Sequence, residues 1–220
     1  MELNRLIDHT LLKQNATFEQ IRKLCEEARE MNFKTVCVNP TWIQDCKKLL
    51  TGSNTEVCTV IGFPLGAMTT AAKAFEAKNA IEQGADEVDM VINIGCLKDS
   101  QMDEVVEDIR QVKQACGQHV LKVIIETCLL SKEEKIRACQ ACVEAGADFV
   151  KTSTGFSSAG ATVEDVVLMK ETVANHCQVK AAGGVKTYED LLNMVKAGAD
   201  RIGTSSGVAL LQKKESEAEY

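Results

Sequence analysis

The sequence lacks any apolar run long enough to cross a membrane, for which about 18 residues are needed. Its first ten residues, "MELNRLIDHT", also lack the apolar core of a signal peptide. Positive charge is in deficit, with 25 Lys and Arg against 32 Asp and Glu and a net charge of -7. We therefore expect a soluble, cytoplasmic protein with no membrane and no nucleic-acid partner.

Metal-binding patterns are also scarce. The one CxxC pair, Cys139 and Cys142, has helical spacing and no second pair, so core packing is the better interpretation than zinc or redox chemistry. The 10 cysteines lie mostly among apolar neighbours, and we interpret them as reduced and structural. None of the 3 histidines is a convincing base. No cofactor and no metal are expected.

One pattern occurs three times: "AIEQGADEVDMVIN" at 80–93, "CVEAGADFVKTSTG" at 142–155 and "MVKAGADRIGTSSG" at 194–207. Each is typical of a helix end, a Gly-Ala-Asp turn and a strand. Together with the short apolar segments between them, they give strand candidates near residues 6, 34, 57, 87, 121, 149, 178 and 201.

Helical stretches alternate with these strand candidates. The sequence therefore predicts an α/β fold, a compact single-domain (β/α)8 TIM barrel, with an open doubly wound sheet as the alternative. We expect the barrel domain to span 1–213 and a polar C-terminal tail to span 214–220.

Four ionisable residues lie on strands that are otherwise apolar: Asp89, Lys122, Lys151 and Lys180. If all four point into the barrel, three amines and one carboxylate share a small volume, and repulsion and burial both disfavour the protonated amines. One lysine is then expected to lose its proton easily and to attack a carbonyl, forming a Schiff base. The alternative is that the lysines point outward or form ion pairs with Asp89 and Glu126.

Glycine-rich segments follow the last two strands, "AAGGV" at 181–185 and "IGTSSGVAL" at 202–210. Barrels often bind phosphate at this position through backbone amides. The predicted phosphate-binding residues are Gly183, Gly184, Lys186, Gly203, Ser205 and Ser206. The segment "GFPLGAM" lacks the GKS ending of a nucleotide P-loop, so we interpret it as a turn near the site.

The segments "EVDMVINIG", "LKVIIET", "FVKTSTGFSSAGAT" and "KAAGGVKT", in this order, resemble class I deoxyribose-phosphate aldolase. The resemblance extends from "IDHTLL" to "GTSSG", which is most of the chain. It implies a TIM-barrel lyase that reversibly cleaves 2-deoxy-D-ribose 5-phosphate to D-glyceraldehyde 3-phosphate and acetaldehyde, without metal. It also implies a homodimer and a role in deoxyribose phosphate catabolism.

The resemblance implies roles for three residues. Lys151 in "KTSTG" forms the Schiff base, and Lys180 in "KAAGG" perturbs it electrostatically. Asp89 in "EVDMV" relays protons together with an ordered water. The substrate contacts implied by the resemblance are Asp8, Thr10, Cys37 and Thr152, with packing an equal alternative for Cys37. Lys122 resembles a family lysine that pairs with Asp89.

Two further positions bear on this expectation. Some relatives have a lysine where this chain has Phe156, so phosphate charge is expected to come from Lys186 and backbone amides. Tyr220 ends the chain, and we hypothesise that its phenol reaches the site. Two functions remain as alternatives to a deoxyribose-phosphate aldolase: a transaldolase-like enzyme that uses a ketose phosphate, and a non-catalytic barrel that binds a phosphosugar.

Overall fold

The apolar segments predicted as strands form one closed parallel barrel, with the strands hydrogen-bonded in chain order. This computed structural model describes residues 2–213. The strands are β1 Ile7–Leu11, β2 Thr35–Val38, β3 Glu56–Ile61, β4 Glu87–Val91, β5 Val120–Ile124, β6 Phe149–Lys151, β7 Gln178–Ala182 and β8 Arg201–Thr204. The predicted (β/α)8 barrel is confirmed, and the open sheet is excluded because β8 pairs with β1.

Helices connect the strands around the outside of the barrel. They are α1 Phe18–Glu30, α2 Ile43–Leu49, α3 Thr70–Glu82, α4 Ile94–Lys98, α5 Met102–Cys116, α6 Lys132–Glu144, α7 Val163–Val173, α8 Tyr188–Lys196 and α9 Gly207–Leu211. Hydroxyl side chains start several of them, and Ser131 with Glu134 forms a reciprocal capping box at α6. Such a cap typically contributes about 1 kcal/mol to helix stability.

The repeated Gly-Ala-Asp turn joins each of three helices to the next strand. Gly84 has φ 107°, a conformation that glycine adopts without strain, and Asn32 takes the corresponding left-handed position at the end of α1 with φ 51°. Asp86 then accepts a hydrogen bond from the Val57 amide at 2.8 Å and pairs with Lys47 at 2.9 Å. The turn therefore fixes the beginning of β4 beside the beginning of β3.

The inward positions of the strands stack in layers of four, each layer taken from alternate strands, and the three layers below the mouth follow from the pairing register. From the N-terminal to the C-terminal end of the barrel the layers are Thr35, Glu87, Phe149 and Arg201; Asp8, Cys58, Lys122 and Lys180; and Cys37, Asp89, Lys151 and Gly203. Barrels usually fill these layers with branched apolar residues. Here the interior is largely ionic.

The apolar core instead lies between the barrel and its helices, where the outward strand residues pack. Among residues 2–213, no helix combines the length and apolar character needed to cross a membrane. The predicted tail at 214–220, including Tyr220, lies outside the described residues. The boundary at 213 stays a prediction.

Candidate active site

The three strand lysines all point into the barrel. Lys151 is the last residue of β6 and stands opposite Lys180 of β7 in the register. The Lys151 side chain is 3% exposed, whereas those of Lys122 and Lys180 are 0% exposed. Lys151 is thus the amine nearest to the C-terminal mouth, where barrel enzymes carry out their chemistry.

Asp89 holds all three amines. Its Oδ2 accepts hydrogen bonds from Lys151 at 2.8 Å and from Lys180 at 2.7 Å, and its Oδ1 accepts from Lys122 at 2.8 Å. Burial by itself raises the pKa of Asp89, but the lysines that bind its carboxylate, Lys122 first, outweigh burial and hold the pKa well below its usual value. Asp89 is therefore an ionised carboxylate placed directly beside the Lys151 nitrogen.

Six of the buried charges form a closed cycle of alternating sign, which we call the charged ring. The shortest N–O distances around it are 2.7 Å for Arg201–Asp8, 2.5 Å for Asp8–Lys180, 2.7 Å for Lys180–Asp89, 2.8 Å for Asp89–Lys122, 2.5 Å for Lys122–Glu87 and 3.0 Å for Glu87–Arg201. Lys151 is not a member of the charged ring. Among the described residues, Asp89 is the one carboxylate that forms an ion pair with it.

The charged ring corrects one expectation from the sequence. Three amines and a single carboxylate were expected, whereas Asp8 and Glu87 add two carboxylates and Arg201 adds a cation. Burial alone would lower the pKa of Lys180, but the charges of Asp8 and Asp89 raise it above its usual value. Lys180 is thus held as a cation, and it shares an oxygen of Asp89 with Lys151.

Glu87 and Arg201 were missed by the sequence reasoning. Both directly follow a Gly-Ala-Asp turn, as Phe149 does, at the beginning of a predicted strand. Their equivalent positions in the repeat were the available signal, because three first strand residues in the same register must point to the same side of a barrel. The charged ring depends on both residues.

A small apolar cluster lies inside the barrel, separate from the main core. It consists of Leu12, Cys37, Cys58 and Val60, with the half-buried Phe63 packed against it. Cys58 adjoins the charged ring, since its thiol donates to Asp89 Oδ1 at 3.2 Å. Cys37 is fully buried, opposite Cys58 in the register. The wall beside Asp89 is therefore largely apolar.

Two groups of potential metal ligands occur in the interior, Cys37, Cys58 and Asp89, and Asp8, Cys58 and Glu87. Burial, together with the hydrogen bond to Cys37, raises the pKa of the Cys58 thiol well above its usual value. The carboxylates in both groups already bind ammonium or guanidinium groups. These residues therefore fit an ionic network better than a divalent cation, which needs ionised, unoccupied ligands.

The predicted substrate contacts take different positions. Both carboxylate oxygens of Asp8 lie within the charged ring, and the Thr10 hydroxyl donates to the Asp8 carbonyl at 2.9 Å. Thr152 exchanges hydrogen bonds with the Ala182 backbone at 3.1 Å and so ties β6 to β7. His9 faces outward and pairs with Glu27 of α1 at 2.7 Å.

Glu126 is a further residue at the mouth, just after β5. Its backbone is left-handed, with φ 55°. Its carboxylate accepts from the Thr154 amide at 3.2 Å and from the Thr154 hydroxyl at 2.5 Å. These bonds hold the loop that follows Lys151, "TSTG" at 152–155, against the end of β5.

The glycine-rich segments lie side by side, because β7 and β8 are neighbours in the barrel. Gly183 and Gly184 have φ 80° and 78°, and a side chain at Gly160 would collide with the backbone of Gly183. Lys186 is exposed on the same segment. Phe156 is 47% exposed and packs edge-to-face against Phe63, with ring centroids 5.3 Å apart.

A (β/α)8 barrel with a buried amine at its mouth is the architecture of the aldolases that act through a lysine amine. The chain matches the model of the DeoC/LacD family aldolases over residues 4–214, and it belongs to this family.

Curated relatives agree over the whole chain. It is 58% identical to deoxyribose-phosphate aldolase 1 of Mesoplasma florum and 59% identical to the deoxyribose-phosphate aldolase of Streptococcus gordonii, with 100% of each chain covered. Among solved structures, it matches deoxyribose phosphate aldolase from Aeropyrum pernix with a TM-score of 0.86 and 33% identity, over 96% of this chain and 89% of that chain. That protein is described as tetrameric.

Proposed function

We propose that this enzyme reversibly cleaves 2-deoxy-D-ribose 5-phosphate to D-glyceraldehyde 3-phosphate and acetaldehyde, through a Schiff base on Lys151. The observation that carries the proposal is the position of Lys151, at the mouth of the barrel and outside a charged ring that is already neutral. An amine in this position is the one that a carbonyl substrate entering the mouth can reach and that can act as the nucleophile. The full-length identity to curated deoxyribose-phosphate aldolases supports the choice of substrate.

In the cleavage direction, Lys151 Nζ adds to the C1 aldehyde of the open-chain sugar, and loss of water gives an iminium ion. The C2–C3 bond then breaks, its electron pair moves into the iminium, and the C3 hydroxyl loses its proton as it becomes an aldehyde. The resulting enamine takes up a proton at C2. Hydrolysis releases acetaldehyde and restores the amine. Asp89, 2.8 Å from Lys151 Nζ, is placed to relay these protons through a water molecule.

The apolar cluster favours acetaldehyde over a dihydroxyacetone unit. A two-carbon donor on Lys151 needs no hydrogen-bonding partners, and the wall formed by Cys37, Cys58 and Val60 offers few. A dihydroxyacetone unit would bring hydroxyl groups that such a wall leaves unpaired, at a cost of about 1–3 kcal/mol each. This argues against the transaldolase-like alternative.

For the phosphate, we propose the neighbouring segments after β7 and β8. Gly183 and Gly184 allow close approach of a phosphate to the backbone, and Lys186 supplies the charge that Phe156 does not. Gly203, Ser205 and Ser206 complete the proposed phosphate-binding set.

The proposal is tested by mixing the enzyme with 2-deoxy-D-ribose 5-phosphate and measuring D-glyceraldehyde 3-phosphate with a coupled dehydrogenase. We expect cleavage, and no comparable reaction with a ketose phosphate. A preference for the ketose phosphate would support the transaldolase-like alternative, and tight binding without turnover would support the non-catalytic barrel.

We further propose a cytoplasmic homodimer. All ten cysteines are free, which fits a reducing compartment. Light scattering after size exclusion tests the assembly, because a mass of four chains would instead match the description of the Aeropyrum pernix relative.

We also propose that the tail at 214–220 brings Tyr220 to the site. Unchanged proton exchange at the acetaldehyde methyl after deletion of Tyr220 would refute this.

A further inference from the structure

The part of the charged ring farthest from the mouth consists of Glu87 and Arg201. Both belong to the first inward layer, at the N-terminal ends of β4 and β8. They are 1% and 7% exposed, and the Arg201 guanidinium also lies over the Phe149 ring at 5.3 Å. The layer that contains Lys122 and Lys180 separates them from the mouth. Neither residue can therefore touch a substrate bound at Lys151.

Glu87 and Arg201 act on Lys151 through the net charge of the barrel interior. The charged ring contains three cations and three anions and is neutral when all six are ionised. Asp89 already binds Lys122 and Lys180, so a proton on Lys151 gives the interior four cations against three anions, which is unfavourable in a buried site. Loss of either remote charge therefore changes the net charge that Lys151 faces.

We propose that Glu87 and Arg201 are positioning residues for the reaction, which keep the charged ring neutral and so leave Lys151 as the unprotonated amine. This inference rests on the proposed Schiff-base function. The charges of the two residues should therefore change the protonation of Lys151 in opposite directions. Loss of the Glu87 charge makes the ring positive and disfavours protonation of Lys151, whereas loss of the Arg201 charge makes it negative and favours protonation.

Other titratable groups near Lys151 leave this balance unchanged. The Cys58 thiol on β3 stays neutral because burial and its hydrogen bond to Cys37 raise its pKa. Glu126, after β5, accepts a hydrogen bond from Thr154 and is present in every variant below, so it affects all of them alike. A hydrogen bond with Cys58 lowers the pKa of the Cys37 thiol on β2, but Cys37 is present in every variant below and affects all of them alike.

The experiment measures how the rate of reductive alkylation of Lys151 by acetaldehyde and cyanoborohydride depends on pH. We expect Arg201→Met to move the midpoint of this profile upward by about one pH unit, which is a tenfold loss of unprotonated amine at a fixed pH below the midpoint. Glu87→Gln, which is isosteric, moves the midpoint downward by a similar amount. The double variant restores the parent midpoint, and Arg201→Lys retains it.

Matched controls come from a buried ion pair outside the barrel interior. Lys73 of α3 donates to Asp108 of α5 at 2.6 Å, with side chains 0% and 4% exposed. Lys73→Met and Asp108→Asn remove equally buried charges of each sign, and we expect them to lower stability without moving the midpoint.

The outcomes separate the two proposals. No adduct on Lys151 in the parent enzyme overturns the Schiff-base function itself. An adduct in the parent, with unmoved midpoints in folded Glu87→Gln and Arg201→Met, overturns only the role of the remote pair, as do shifts of the same sign in both variants. If Arg201→Met does not fold, the isosteric Glu87→Gln decides by itself.

Discussion

Replacement of Lys180 by leucine tests how strongly its charge acts on Lys151. The two amine nitrogens bind the same oxygen of Asp89 at 2.7 Å and 2.8 Å, so they lie no more than about 5.5 Å apart. At an effective dielectric constant of about 20, two unit charges at that distance repel by about 3 kcal/mol, which corresponds to about two pH units. Lys180→Leu should therefore lower cleavage about 100-fold at pH values where Lys151 becomes protonated, with recovery at higher pH.

The assay is the pH dependence of kcat/KM for cleavage of 2-deoxy-D-ribose 5-phosphate, whose acidic limb should move upward by about two pH units. Removal of one partner from a buried ion pair typically costs about 3–5 kcal/mol, so circular dichroism and thermal unfolding must show that the variant is folded. Lys73→Met is the matched control, because it also removes a fully buried cation. A folded Lys180→Leu enzyme with the parent's pH profile would refute the electrostatic role of Lys180.

Four other outcomes are expected. Lys151→Ala abolishes cleavage while the barrel stays folded, as circular dichroism should show; measurable turnover would contradict its role. Asp89→Asn slows proton transfer more than imine formation, as isotope exchange at the acetaldehyde methyl should show; equal slowing of both steps would count against the relay. Because the pKa values of Asp8 and Asp89 are depressed in the folded protein, the unfolded chain binds more protons in acid, and the free energy of unfolding should fall as the pH drops below about 4. Urea titrations at several pH values test this, and a flat profile would contradict it. Lys186→Ala raises KM for the phosphorylated sugar but not for 2-deoxyribose; an equal change for both would place the phosphate elsewhere.

The strands and their order were predictable because the determinants are local. The Gly-Ala-Asp turns mark where helices end, and the left-handed Asn32 marks the same point after α1. Strand alternation predicted which residues share a face of each strand, and barrel closure showed that the face carrying Asp89 and Lys151 is the inward one. The apolar segments between the turns then account for the remaining strands.

The charged ring was not predictable in the same way, because its bonds cross the barrel. Arg201 lies 193 residues from Asp8 and 114 residues from Glu87, and only closure of β8 onto β1 brings these side chains together. Alternation predicts the side of a strand that a residue faces, but not which charges will meet. The sequence therefore predicted either crowded amines or ion pairs with Asp89 and Glu126. The structure contains the ion pairs with Asp89, within a neutral ring that has one additional lysine.

The most direct test of the whole account is reduction of the enzyme with borohydride in the presence of acetaldehyde, followed by peptide mass spectrometry. The account predicts an added ethyl group on Lys151, with Lys122 and Lys180 unmodified because both are bound within the charged ring. A folded enzyme with no adduct on Lys151, or with the adduct on Lys180, would contradict it.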